Sequence, residues 1–277
     1  MGSLDDQYQV TIVKYGTRST LRSDVYLNYQ LYRESDAPIE MDYFFWIIRN
    51  ARRTVVVDTG FSPAGGQHRG RTLLANVAEL FAYFGVFPDQ SPDVIVTHAH
   101  YDHVGNLNLF PSSRVFMAER EYEFWSSEHA QRVMFHHSVE DDELVYVDKV
   151  AAEGHLNLFQ ECVEVAPGID VYVVGGHTPG QCVVRVNTSE GAVLLASDAV
   201  HYYEEYERDM LFMSVADLVA MYEGFDRIRE MERSGSIQHL VSGHDPDTLA
   251  RFTPTLGKFA ELSATIGTFD LAEEAVA

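Results

Sequence analysis

Thr97-His98-Ala99-His100-Tyr101-Asp102-His103 follows directly on the apolar run Val94-Ile95-Val96 and sets four potential metal ligands within six residues. The apolar run reads as a buried strand, so the histidines and the aspartate stand at its end. Packed into a core without partners, these imidazole and carboxylate groups carry a heavy desolvation cost. A bound cation removes that cost. Imidazole with carboxylate suits Zn, Fe, Co or Mn better than Ca or Mg, which take all-oxygen shells. The competing reading is a polar loop rich in histidine. With 12 histidines in 277 residues chance pairs are expected, but not an ordered quartet at a strand end.

Working outward, the same arrangement recurs along the chain. His177 follows the apolar stretch 171–174, Asp198 follows 193–196, and His244 follows Leu240-Val241. Active sites in layered α/β proteins gather where strand ends meet loops. Further strands are read at 8–14, 43–49 and 53–57, the last ending in Asp58-Thr59-Gly60, with a hairpin around Asn50-Ala51-Arg52. Residues 23–42, with Tyr26, Tyr29 and Tyr32, read as an irregular segment packed on the sheet. Leu73, Leu74, Val77, Leu80 and Phe81 give a helical spacing over 71–84, and a second helix is expected over 119–132. Residues 135–156 read as acidic and irregular, with His136, His137 and His155 as surface or pocket-rim residues. The second half adds strands near 162–166, 171–174, 182–187 and 192–197, a helix over 213–232 and a short strand at 239–241. Such duplication suggests two sheets packed face to face with helices outside.

Composition narrows the function. The chain has 42 acidic and 20 basic residues, a formal charge of −22, which repels nucleic-acid phosphates and anionic membrane surfaces. Polyanionic substrates are disfavoured on the same ground. Cys162 and Cys182 are the only cysteines, so this is no disulfide scaffold, and the usage fits a reducing compartment. The first six residues lack the basic and apolar regions of an export signal, and no run approaches 18 apolar residues. A cytoplasmic protein without membrane or nucleic-acid partners is expected. The sequence leaves the oligomeric state open, a homodimer included.

His98-x-His100-x-Asp102-His103, with His177, Asp198 and His244 downstream and Val57-Asp58-Thr59-Gly60 upstream, resembles the metallo-β-lactamase superfamily over residues 8–245. The resemblance implies an α+β fold over a single domain, residues 1–277: a four-layer αβ/βα sandwich of two mixed β-sheets with helices on the outside. It implies two divalent metal ions, Zn before Fe, Co or Mn. His98, His100 and His177 would hold one, Asp102, His103 and His244 the other, with Asp198 bridging. Flavodiiron relatives carry Glu where His100 stands, so hydrolysis is expected rather than redox chemistry. A metal-bridging hydroxide would attack the carbonyl, with no Ser or Cys nucleophile. Asp102 would also shuttle a proton to the leaving group. Asp58 and Asp245 are read as carboxylates that orient ligating imidazoles, with turn capping the equal alternative for Asp58.

Within that superfamily the chain most resembles the N-acyl-homoserine lactone lactonases, which quench quorum sensing by opening a lactone ring. The resemblance rests on Asp58-Thr59-Gly60, Glu121-Tyr122-Glu123, Gly176-His177-Thr178-Pro179-Gly180, Ser197-Asp198-Ala199 and Gly243-His244-Asp245. The pattern breaks three residues after Asp198. Such lactonases commonly place a tyrosine there, and this chain has His201 followed by Tyr202, either of which can donate a hydrogen bond to developing oxyanion charge. An acyl chain needs an apolar groove, for which Phe61, Trp125, Met134, Phe135, the segment 25–32 and the cluster Tyr202, Tyr203 and Tyr206 are the candidates. The rivals are another lactonase, a glyoxalase-II-like thioesterase or β-lactamase on the same scaffold, and a non-catalytic metal-binding module.

Overall fold

The computed structural model describes residues 6–269. Residues 1–5 of the N-terminus read above, and 270–277 at the other end, lie outside that range. In chain order the elements that build the site are β1 (Gln9–Leu21), β2 (Pro38–Arg49), β3 (Thr54–Val57), α1 (Pro63–His68), β4 (Thr72–Leu73), α2 (Val77–Tyr83), β5 (Asp93–Ile95), α3 (Tyr101–Val104), β6 (Val115–Ala118), α4 (Glu119–Trp125), α5 (Val133–His136), α6 (Asp141–Ala152) and β7 (Leu156–Phe159). The second half continues with β8 (Cys162–Ala166), β9 (Ile169–Val173), β10 (Cys182–Thr188), β11 (Gly191–Ser197), α7 (Tyr203–Arg208), α8 (Leu218–Arg233), β12 (His239–Ser242), β13 (Thr253–Pro254) and β14 (Ser263–Ile266).

The first sheet runs β13-β14-β1-β2-β3-β5-β6-β7, with β4 paired to β1; the second runs β12-β11-β10-β9-β8. Both are mixed. β1, β2 and β3 pair antiparallel, while β3, β5, β6 and β7 run parallel, as do β11 and β12. Strand alternation assigns the layers. Phe44, Trp46 and Ile48 of β2 join Val55 and Val57 against Val171, Val184, Val193 and Leu195 of the second sheet. The intervening Tyr43, Phe45 and Ile47 face outward onto Leu80 and Phe81 of α2 and Val147 and Val150 of α6. On the far side, Leu194 and Ala196 meet Met221, Phe225 and Ile228 of α8. With period-2 faces both covered by apolar surface, the result is helix, sheet, sheet, helix: the expected four-layer sandwich.

Several local expectations are corrected. Of the helix read over 71–84, only Val77–Tyr83 is helical; Thr72–Leu73 is a strand that adds to β1. The helix expected over 119–132 stops at Trp125. Residues 135–156 are not irregular, because Asp141–Ala152 is a helix with three acids in its first turn, where the helix dipole favours them. The helix over 213–232 starts later, at Leu218, where the Asp217 carboxylate caps the backbone N–H groups of Val219 and Ala220. This frees residues 213–217 to be a loop. No helix among the described residues is long and apolar enough to cross a membrane.

Candidate metal centre

Each candidate ligand lies just past the C-terminal end of a strand. His98 and His100 follow β5, with Asp102 and His103 in the first turn of α3, His177 follows β9, Asp198 follows β11 and His244 follows β12. Parallel neighbours put these ends on one rim. Two of the turns that start there have a left-handed non-glycine residue, Asp58 at φ 59° after β3 and Ser197 at φ 47° in the last position of β11. Such backbone costs about 1–3 kcal/mol and persists where the surroundings enforce it. Gly243 is required by proximity, since a Cβ there would meet the Ser197 carbonyl oxygen at 2.5 Å.

All seven side chains are buried and converge on Asp198. Its Oδ2 faces His177 Nε2 at 3.4 Å and His98 Nε2 at 3.8 Å. Its Oδ1 faces His103 Nε2 at 3.3 Å and His244 Nε2 at 3.1 Å. His244 Nε2 also lies 3.3 Å from Oδ2, so the carboxylate stands between the two sets. On either side, His100 Nδ1 lies 2.9 Å from His177 Nε2, and Asp102 lies 3.8 Å from both His103 Nε2 and His244 Nε2. His98, His100 and His177 form one group whose ligand atoms lie within 4.8 Å of one another, and Asp102, His103 and His244 form a second.

The outward nitrogens are anchored, which leaves the inward ones free to bind. His177 Nδ1 pairs with the Ser214 carbonyl at 2.7 Å, His244 Nδ1 with the Asp42 carbonyl at 2.7 Å, and His103 Nδ1 with Asp58 Oδ2 at 2.8 Å. Yet His98 Nε2, His103 Nε2 and Asp198 Oδ1 are buried with no hydrogen-bond partner. Orphaned buried polar atoms call for an explanation; their types and convergence fit two transition-metal cations. Burial holds the pKa values of His98 and His100 well below 6.5 and pushes His177 down to about 3, so all three are neutral lone-pair donors. Burial opposes charge on His103 too, but Asp198, Asp58 and Asp102 outweigh it and raise its pKa.

Asp58 touches a ligand ring, and it also accepts from the Thr97 backbone N–H and hydroxyl, each at 2.8 Å. Asp245 does not do the job given to it. Its carboxylate accepts from the backbone N–H groups of Tyr203 and Asp247, fixing the turn after His244, and a backbone carbonyl orients the His244 ring instead. His201 and Tyr202 are also corrected. His201 is fully buried behind the site, with Nε2 3.2 Å from Asp198 Oδ2, Nδ1 3.0 Å from Glu205 Oε2 and its ring stacked on Phe212. Tyr202 turns away, donating its hydroxyl to the Glu40 carbonyl at 3.1 Å. Neither lines the cavity over the centre.

That cavity, about 510 Å³, opens onto His100, Asp102, His177, Asp198 and His244. Its apolar wall is Met41, Val133, Met134, Phe212, Met213 and Val215. Of the expected pocket residues only Met134 belongs to it. Phe135 lines a narrow neighbouring cleft against His100 and His177. Phe61 is fully buried among Tyr15, Tyr43 and Tyr101, and Trp125 is buried beside His100 with its indole N–H on Glu121. The tyrosines of 25–32 and of the 202–206 cluster pack inside, where Tyr26 bonds Glu204, Tyr203 the Leu240 carbonyl and Tyr206 Glu232. Of the three outlying histidines, His137 reaches the cavity rim.

Sequence reasoning missed the group that ties the ligand loops together. The buried Glu121 carboxylate accepts from Ala99 N at 2.9 Å, Trp125 Nε1 at 2.7 Å, Thr178 Oγ1 at 2.6 Å and Gly180 N at 3.0 Å. It thereby joins the loop bearing His98 and His100 to the loop bearing His177. Its sequence signal is the Glu121-Tyr122-Glu123 stretch of the resemblance, which marks the residue but not its buried role, since a glutamate in the first turn of a helix by itself reads as a surface residue. Cys182 is a buried thiol directed to the Gly180 carbonyl.

Comparison with known proteins agrees with this fold. A family model of the metallo-β-lactamase superfamily matches residues 42–233. The N-acyl homoserine lactonase AiiA of Bacillus thuringiensis subsp. kurstaki is 22% identical over 224 residues, 75% of this chain and 82% of that protein. AiiB of Agrobacterium fabrum, also an N-acyl homoserine lactonase, is 25% identical over 248 residues, 80% of this chain and 86% of its own. Among solved structures, a quorum-quenching N-acyl homoserine lactone lactonase superposes with a TM-score of 0.71 at 18% identity, covering 86% of this chain and 92% of that one. AidC, a dizinc quorum-quenching lactonase, gives 0.67 at 15% identity, covering 94% of each chain. At these identities the structural likeness speaks for the fold.

Proposed function

The chain belongs to the metallo-β-lactamase superfamily, and from that premise we propose that it is a dinuclear metal-dependent hydrolase that opens a lactone ring. The observation that carries the reading is the position of Asp198, whose carboxylate lies within 3.8 Å of His98 and His177 on one side and of His103 and His244 on the other. In this reading His98, His100 and His177 would hold one divalent ion and Asp102, His103 and His244 a second, with Asp198 placed between the two sets. Zinc is the first choice for an N/O donor set of this kind. Bound there, the ions would supply Lewis acidity toward an ester carbonyl and lower the pKa of bound water toward about 7.

The protein's part is to position and to move protons. Anchoring of His103, His177 and His244 through Nδ1 fixes their tautomers and aims each Nε2 inward. The cavity's apolar wall takes the acyl side of an ester, and the convergent polar floor takes the carbonyl. Asp102 lines the cavity, so its carboxylate can pass a proton to the departing oxygen as the ring C–O bond breaks and the acyl carbon gains the hydroxyl. The lactonase relatives make N-acyl homoserine lactones the first substrates to try.

The test couples metal analysis to hydrolysis of N-acyl homoserine lactones, simple γ- and δ-lactones, a thioester and a β-lactam. The expected result is two ions per chain and lactone turnover that a chelator abolishes and zinc restores. A metal-replete protein inert toward every member of the panel removes the reading. Asp102→Asn, reloaded to full metal content, is expected to lose turnover by about 10²–10⁴-fold.

A further inference from the structure

One wall of the cavity has no part in the chemistry above. Arg18 on β1 and Arg71 just before β4 both line it. β1 and β4 pair antiparallel, with Gly16 opposite Leu73 and Thr17 opposite Thr72, and Arg18 and Arg71 are the next residues on either strand beyond that ladder. Like charges set opposite each other on neighbouring strands repel. Among the described residues no acidic side chain forms an ion pair with either arginine, although Asp102 of the candidate metal centre acts on Arg71 at longer range. Among the described residues, the guanidinium of half-buried Arg18 has no hydrogen bond or ion pair. Arg71 gives Nε to the Tyr101 hydroxyl at 3.1 Å and Nη1 to the Arg69 carbonyl at 2.5 Å, leaving Nη2 without a protein partner.

The other charged groups of the wall are accounted for. Arg69 pairs with Glu140 and donates to the carbonyls of His137 and Val139, with its guanidinium over the Tyr101 ring. Asp24 at the rim accepts from Thr20 at 3.1 Å. Asp102 and Asp198 belong to the metal centre in the reading above. Arg18 and Arg71 are also close to that centre through short chains of contacts. Arg18 is registered against Met41, whose neighbour Asp42 gives its carbonyl to His244 Nδ1. Arg71 holds the side chain of Tyr101, which sits in sequence between His100 and Asp102.

We propose that Arg18 and Arg71 form an oxyanion-binding subsite, so that the preferred substrate bears a carboxylate in addition to the ester bond that is cleaved. A planar guanidinium offers parallel N–H donors matched to the two oxygens of a carboxylate. An anion lodged between the two guanidinium groups converts their repulsion into two attractions, and a single negative charge is enough. The proposal rests on the hydrolase reading of the same cavity, and it separates this chain from enzymes whose lactones are neutral. The overall charge of −22 argues against polyanions at long range; it does not decide a contact made inside a half-buried arginine pair.

The experiment uses the full-length, metal-loaded protein and two γ-lactones that differ only in a side-chain carboxylate against its neutral methyl ester. The wild type is expected to prefer the carboxylate by at least about tenfold in kcat/KM, the size of one charge-assisted contact. Arg18→Gln and Arg71→Gln should each reduce that preference about tenfold, mainly through KM, and Arg18→Lys should retain part of it. A wild-type preference at or below unity, or one unchanged in both glutamine variants, overturns the proposal. Calorimetric binding of glutarate to the same metal-loaded proteins separates this outcome from failure of the hydrolase reading. If neither lactone is turned over, the lactonase reading fails, and the subsite stands on glutarate binding that weakens about tenfold in the variants. Absent binding in the wild type, or equal binding in all three proteins, removes it.

Discussion

His103 Nδ1 and Asp58 Oδ2 lie 2.8 Å apart in a fully buried pair, Asp58 just past β3 and His103 in α3, the helix that follows the neighbouring strand β5. The contact fixes which nitrogen of His103 faces Asp198, and the same carboxylate locks Thr97, the residue before His98, through two further bonds. Asp58→Asn keeps shape and the tolerance for left-handed backbone at φ 59° while removing the charge. Metal affinity at the second site is expected to fall about 10–100-fold. Competition against a chromophoric chelator measures it, and wild-type affinity at both sites would show that the pair does not tune the centre.

Glu121 carries the corresponding prediction for the first site. Burial raises its pKa, against the pull of the four donors gathered around it. Glu121→Ala strands the N–H groups of Ala99 and Gly180 and the polar groups of Thr178 and Trp125. The metal-free variant is expected to lose at least about 3 kcal/mol in urea unfolding, since each orphaned donor costs about 1–3 kcal/mol. A loss below about 1 kcal/mol would mean that the two ligand loops hold themselves in place.

What the sequence revealed of this site, and what it concealed, follows from the range of each interaction. The quartet at 98–103 was legible because ligand spacing on one turn is local, and His177, Asp198 and His244 were legible because an apolar run that stops at a polar residue marks a strand end. Facing directions were not. Whether Tyr202 looks into the cavity or toward Glu40 depends on β2, far away in the chain. Leu73 fits a helical period with Val77 and Leu80, but pairing with β1 takes it into a strand, tertiary contact overriding local spacing. The helix Asp141–Ala152 was hidden because its acids read as a solvated charge run, and few of its residues are buried. Arg18 and Arg71 come to line the same cavity only through that same unforeseen strand.

Chelation provides a test that needs no substrate. With His98 Nε2, His103 Nε2 and Asp198 Oδ1 orphaned in their burial, bound cations should add stability in proportion to their occupancy. For two sites of similar affinity, stability is expected to rise by about 2.7 kcal/mol per decade of free zinc above the dissociation constants, against about 1.4 for one. Thermal unfolding in zinc buffers reads the slope directly. A slope of one site, or none, contradicts a dinuclear centre.

A pH effect is expected away from the metals, at Glu143 on α6. Its Oε1 accepts from Ser62 Oγ at 3.0 Å, and its Oε2 is buried without a partner. Burial pushes its pKa from 4.5 up to about 7, with nearby Glu140 also raising it and the Ser62 bond opposing. The unfolded chain releases this proton near 4.5 while the folded chain keeps it to about 7. Across that window the folded state binds more protons, so the contribution of Glu143 is fully present below the lower value and is lost as pH rises through the upper one. Glu143→Gln cannot ionise. Relative to wild type it should therefore gain stability between pH 5 and 8, on the order of 1–3 kcal/mol, with little difference at pH 4. Parallel urea titrations of the two proteins across that range decide the matter: curves that keep a constant separation would mean that Glu143 ionises as readily in the fold as outside it.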